Sequence, residues 1–196
     1  MKTIDHYLPE NALPRVRELL ETHDFILKIV NERSTKHGDF RKLKSGKYQI
    51  TINNNLNPFQ FLLTLIHEIA HHVTHQKYGR VKPHGKEWKL TFKQLMLPFL
   101  DPAIYPKNLL PPLAKYLINP KASTDSDPQL SLAMKCDQKE SHKKYIFELK
   151  LGSTFVLKAK SYRILEKKRT RYLCSEIDSH RKYLISQNAE VVPING

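Results

Sequence analysis

The chain has 196 residues, 40% of them hydrophobic, enough for one domain, or one domain and a small appendage, with a sizeable core. Lysine and arginine number 33 against 19 acidic residues, and the net charge of +14 favours polyanions such as DNA or RNA through phosphate contacts, a generally basic soluble protein being the plainer alternative. The apolar runs are too short to span a bilayer, Met1 leads into polar residues, and two cysteines, Cys136 and Cys174, make no disulfide framework, so a cytoplasmic protein (nucleoid-associated if bacterial) with no membrane partner is expected.

Asn11 to His23 reads as a helix, with Pro14 near its first turn and Val16, Leu19 and Leu20 on one side. Phe25 to Val30 reads as a strand, Lys36-His37-Gly38-Asp39 as a turn, and Lys47 to Ile52 as a second strand closed by Asn53-Asn54-Asn55. Arg33, Lys36, Arg41, Lys42, Lys44 and Lys47 flank that turn. Arg41, Lys42 and Lys44 are candidate nucleic-acid contacts there, or equally a solvated hairpin tip. A small sheet ahead of a helix offers an edge strand to an extended peptide.

Asn57 and Pro58 then read as an N-cap and first helical residue, and Gly79 as a C-terminal stop. Between them Leu62, Ile66, Ile69 and Val73 form one apolar stripe. His67-Glu68-Ile69-Ala70-His71 lies on this helix and has the H-E-x-x-H pattern of zinc peptidases. Residues four apart share a helix face, so both imidazoles can hold one ion at Zn–N distances of about 2.0–2.1 Å. Glu68 sits roughly 100° round the helix, where a general base reaches water and not the metal. The two histidines point roughly 130–170° from the apolar stripe. Ordinary surface histidines on an amphipathic helix are the plainer reading.

A catalytic zinc usually takes three protein ligands. His72 points off the face, and His75 continues a ladder that one straight helix does not easily wrap round an ion. Tyr78 to Pro83 turns the chain back and delivers His84 and Glu87 at the start of a second helix. His67-Glu68-x-x-His71, twelve residues, then His84-Gly85-x-x-Trp88 resembles the SprT-like metallopeptidase family, which includes the Spartan proteases. The resemblance covers about residues 1–100 well. It implies His67, His71 and His84 as ligands of one Zn2+ ion, with Glu68 as base; Glu87 would be the ligand of a gluzincin-type site. It also implies a receptive edge strand and substrates crosslinked to or sitting on DNA.

Glu87 to Leu100 reads as that second helix, with Trp88, Leu90, Phe92, Leu95 and Met96 mostly core. A proline-rich stretch from Pro98 to Pro120 holds one short helix near Leu113 to Leu117. Lys121 to Pro128 has linker composition, and Gln129 to Lys135 reads as a further short helix. From Tyr145 the period changes to two. Tyr145–Leu149, Thr154–Leu157, Tyr162–Leu165, Tyr172–Ile177, Tyr183–Ile185 and Ala189–Val192 read as strands of a small antiparallel sheet or barrel. Lys167, Lys168, Arg169 and Arg171 form a second candidate nucleic-acid contact on a loop of it. Many SprT-like proteins end in a zinc ribbon; here only Cys174 stands near a knuckle position, so a four-cysteine zinc is excluded.

The expected fold is α+β: a zincin-like metallopeptidase domain over 1–120 (a small sheet, the HExxH helix and a following helix), a linker with a short helix over 121–141, and a small antiparallel β module over 142–196 in place of the ribbon. The expected function is zinc-dependent endopeptidase action on protein or peptide substrates associated with DNA, single-stranded or junction-containing. The alternatives are a nucleic-acid-binding protein with a structural or vestigial zinc site and a general cytoplasmic peptidase. Tyr78 and Tyr105 have the chemistry to stabilise an oxyanion, a surface or core role being the plainer reading of each.

Overall fold

The computed structural model describes residues 4–33, 35–122, 127–135 and 143–194. The chain is α+β and divides into two units, Met1–Ala122 and Ser123–Gly196. Cys136 and, within the expected linker, residues 123–126 and 136–141 lie outside the described residues.

In the first unit, α1 (Leu13–Thr22) follows two short 3-10 turns. Three strands come next, β1 (Ile26–Val30), β2 (Gly38–Lys42) and β3 (Tyr48–Asn53), in the order β1-β3-β2. β1 runs parallel to β3 and β2 antiparallel to it. Strand β2 corrects the sequence reading. Gly38 and Asp39, expected in a turn, pair with Ile52 and Thr51. Neither has intrinsic strand preference, so the neighbouring strand imposes the conformation. The actual turn is Leu43 to Lys47, closed by Leu43 N–H to Lys47 O at 2.8 Å, with Gly46 at φ 84°. Arg41 and Lys42 therefore stand on a strand, and Lys44 in the hairpin turn.

Helix α2 (Pro58–Tyr78) has the caps its sequence demands. The Asn57 side chain accepts from Gln60 N–H at 2.9 Å, Pro58 opens the helix, and Gly79 closes it at φ 68°. The single apolar stripe is too narrow a description, because every residue from Phe61 to Ala70 is buried. The helix packs on β2 and β3 on one side and on α3 (Lys86–Met96) on another. A helix apolar over most of its circumference is a central element of a layered domain.

Helix α3 buries Trp88, Phe92 and Met96 at four-residue intervals and runs into a 3-10 turn over Leu97–Phe99. Leu95 is half-buried, while Leu90 is 52% exposed and not core, because it lies about 200° round the helix from Trp88. Helix α4 (Leu110–Ile118) extends the short helix expected there.

The second unit carries α5 (Pro128–Lys135) and six antiparallel strands, β4 (Lys144–Tyr145), β5 (Thr154–Leu157), β6 (Lys160–Lys167), β7 (Arg171–Glu176), β8 (Lys182–Ser186) and β9 (Glu190–Ile194). Among the described residues their order is β4-β9-β5-β6-β7-β8, a sheet with two ends. Ile146, Phe155, Tyr162, Ile164, Tyr172, Cys174 and Val191 form its core. The strand expected over Tyr145–Leu149 is only two residues long before a 3-10 turn takes Ile146–Glu148. The Glu148 carboxylate accepts the Tyr145 N–H at 2.6 Å, and this local bond competes with the ladder. No helix among the described residues is long and apolar enough to cross a membrane.

Candidate metal centre and cleft

His67 and His71 occupy successive turns of α2, and His84 returns to them from the turn that precedes α3. That return needs tight backbone. His84 itself is left-handed, at φ 57°, and Gly85 N–H bonds Lys82 O at 3.0 Å. A Cβ on Gly85 would lie 2.9 Å from Lys82 O, so the glycine of the His-Gly pair is required by space.

The three Nε2 atoms form a triangle, His67 to His71 at 3.2 Å, His67 to His84 at 3.2 Å and His71 to His84 at 3.0 Å. Those are hydrogen-bonding distances, but the triangle cannot be closed by hydrogen bonds. Each imidazole nitrogen holds either one proton or one lone pair in the ring plane. Three nitrogens aimed at one point therefore repel unless a cation lies between them. Tetrahedral zinc with Zn–N bonds of 2.0–2.1 Å sets its nitrogens ~3.3–3.4 Å apart, close to what is observed. The donor set fits zinc, and among the described residues these three histidines are the group that can hold a metal ion.

The electrostatics agree. Burial, then the His71 and His84 rings, holds His67 well below its usual range. Burial, then His84, pushes His71 down to about 3. Burial also lowers His84. Neutral imidazole is the form that binds a metal. Trp88, which is 1% exposed, packs against all three rings. Its ring stacks on His71 at 5.2 Å and meets His67 and His84 at 4.6 and 4.7 Å, while its Nε1–H donates to His67 O at 3.4 Å.

The other candidates are placed elsewhere. His72 is buried among the rings of His23, Phe25, Phe40 and Tyr48, and burial followed by His23 pushes it down to about 4. His75 Nδ1 lies 3.3 Å from the Tyr48 hydroxyl. Glu87 is outside the triad and faces Lys86 Nζ at 3.8 Å. Tyr105 is fully buried core, its hydroxyl donating to Phe59 O at 3.5 Å, and Tyr78 is a partly exposed ring under Lys77.

Glu68 is buried at 7% exposure. Burial, then Asp39, pushes its carboxyl up to about 8, while Arg33 and Lys36 oppose the shift. Gly38 backs this carboxyl closely, a contact that the sequence reading of a turn missed. A lone glycine inside a strand pattern is the signal that would have found it. Glu68, the three histidines, β2 and the turn 79–84 line one cleft of about 840 Å³. Arg41 and Lys42 are in its wall; Lys44 is not. Lys167, Lys168, Arg169 and Arg171 sit at the β6–β7 hairpin of the second unit, where Lys168 pairs with Glu166 at 2.6 Å and Lys167 lies over Tyr172.

Comparison with known proteins bears on the same segment. The SprT-like family model matches residues 18–105. Protein SprT of Vibrio parahaemolyticus serotype O3:K6 is 56% identical over 45 residues, covering 21% of this chain and 27% of that protein. Protein SprT of Actinobacillus succinogenes is 42% identical over 60 residues, 26% of this chain and 35% of that protein. Protein SprT of Pasteurella multocida is 38% identical over 64 residues, 28% and 39%. The chain thus matches well under half the length of each of these relatives. No solved structure matches it significantly. Residues 18–105, which carry both the histidine triad and Glu68, are thus the segment in which the chain is similar to the SprT-like family.

Proposed function

We propose that the protein is a zinc-dependent metalloendopeptidase acting on DNA-associated or DNA-crosslinked proteins. The observation that carries the peptidase reading is the Nε2 triangle of His67, His71 and His84 with the buried Glu68 carboxyl beside it in an open cleft. The three histidines would hold the ion. Zinc, when bound, supplies Lewis acidity, acidifying water towards pKa ~7 and polarising a carbonyl.

In this reading Glu68 accepts a proton from water and returns it to the leaving amine. Charge on the carboxylate is disfavoured by burial alone, and a neighbouring dication restores it. Among the described residues strand β2 is an edge strand, paired with β3 on one side only, and it lines the cleft. Its free N–H and C=O groups can hold an extended polypeptide in register beside Glu68. A structural zinc site normally closes its coordination with a fourth protein ligand. Three histidines beside a carboxyl in a cleft support catalysis better.

The DNA-directed part of the reading is supported by the net charge of +14 and by the cations of the β6–β7 hairpin. The test is cleavage of casein and of histone by zinc-loaded wild type and Glu68→Gln, each with and without single-stranded DNA. Cleavage that requires both Glu68 and DNA is expected. Cleavage indifferent to DNA would reduce the reading to a general peptidase, and DNA binding with no cleavage would leave a binding protein.

A further inference from the structure

Four cations line the cleft beside the histidine triad, Arg41 and Lys42 on β2 and Arg80 and Lys82 on the turn into α3. Among the described residues none of the four is ion-paired with a carboxylate. Arg41 donates to the Gln49 amide oxygen at 3.1 and 2.6 Å, a neutral partner that leaves its charge uncompensated. Lys42 Nζ lies 5.6 Å from the centre of the Tyr48 ring. Arg80 and Lys82 are exposed. The acidic groups in the wall are Asp39, already held by Lys36 Nζ at 2.7 Å, and the buried Glu68. A concave wall of one sign focuses its field on whatever enters.

Such a surplus suits an anion, and β2 indicates which kind. Its free edge presents the alternating donors and acceptors of a strand ladder, which a polypeptide matches and a nucleic acid does not. Successive residues of a strand leave on opposite faces, so Arg41 and Lys42 would flank an added strand from both sides. They do so at the end of β2 away from Gly38, which abuts Glu68. Arg80 and Lys82 belong to the turn that also lines the cleft. Resting on the peptidase reading above, we propose that this cleft selects polypeptides with acidic side chains on one side of the cut bond, Arg41, Lys42, Arg80 and Lys82 being the specificity determinants.

The experiment compares three fluorogenic peptides of one length that differ only in a flanking triplet of aspartates, serines or lysines. Each is assayed for cleavage by the metal-loaded protein and, by fluorescence anisotropy, for binding to the Glu68→Gln variant. The acidic peptide should lead the basic one by about tenfold in kcat/KM and in affinity, as a few partly exposed charge pairs allow. The lead should shrink at ~0.5 M salt. In the double variant Arg80→Glu/Lys82→Glu the acidic-to-basic ratio should fall below one, with metal content unchanged as a check on folding. Equal binding of all three peptides, or a ratio unmoved by the double variant, overturns the proposal. So does a double variant that loses single-stranded oligonucleotide binding while keeping its peptide ratio, since the cations then serve nucleic acid. Failure to cut any peptide overturns the peptidase reading instead, and the anisotropy ratio alone then decides the selectivity.

Discussion

Gly38 lies against the carboxyl group of Glu68. A Cβ at residue 38 would come within 2.5 Å of Glu68 Oε1 and 2.8 Å of both its Cγ and Thr64 Cγ2. Glycine is present there for space, and the smallest side chain must displace the carboxyl. Gly38→Ala should lower kcat by about 10–100-fold, since small misplacements of a reacting group cost that much. KM and zinc content should change little, because neither β2's free edge nor the triad is touched. Steady-state kinetics beside metal analysis check this; a variant with unchanged kcat would mean that Glu68 does not need its present position.

His84 and His75 separate a ligand from a neighbour. His84→Ala removes one corner of the triangle and should abolish stoichiometric zinc binding. His75→Ala removes contacts with Tyr48 and Phe40 but no corner of the triangle, and should leave zinc bound. Chelator competition measures both. Loss of zinc in the His75 variant and retention in the His84 variant would reverse the assignment.

Trp88 supports all three imidazoles and is itself core. Trp88→Ala should cost about 3–5 kcal/mol of stability, the range for truncating a large buried aromatic. It should also weaken zinc binding by at least tenfold, since groups that orient metal ligands carry that weight. Trp88→Phe keeps a ring on the shelf and should recover most of the zinc affinity. Urea denaturation and chelator competition provide the two readouts.

The titrating groups predict a stability profile for the metal-free protein. His67, His71, His72 and His84 have folded pKa values below the ordinary 6.5, so the stability they contribute is present above pH 6.5 and lost as pH falls. Glu68 is the opposite case, raised from 4.5 to about 8. Its contribution is complete below pH 4.5 and is lost as pH rises towards 8. Stability should therefore peak near pH 6.5. Between pH 6.5 and 8 wild type should lose about 1–2 kcal/mol that Glu68→Gln does not lose. Denaturation in the presence of chelator at several pH values shows whether the two curves diverge on the alkaline side.

Local chemistry made α2 legible. Asn57, Pro58 and Gly79 act within a few residues of themselves, and the structure places each as its type demands. His67 and His71 share a face by helix geometry alone. The third corner did not follow from spacing. His84 reaches the triangle through a left-handed residue and the docking of Trp88, neither of which leaves a periodic trace, and only the His-Gly-x-x-Trp resemblance singled it out. Strand β2 was hidden for a related reason. Gly38 and Asp39 are turn residues by preference, and the partner that makes them a strand is β3, which follows them in the chain. In the second unit, β5 to β9 were visible from alternation, whereas the end of β4 was decided by the Glu148 side chain.

The turn that carries His84 back to α2 is also a proteolytic gauge. It joins the end of α2 to the start of α3, and Arg80 and Lys82 stand exposed within it. An ion bound by histidines on both sides of the turn would cross-link its ends and slow the local opening that a protease needs. Trypsin cuts after arginine and lysine but poorly before proline, so Arg80–Val81 is the vulnerable bond and Lys82–Pro83 is shielded. Nicking at that one bond should be fast in chelator and slow with zinc, turning a gel band into a measure of occupancy that requires no substrate.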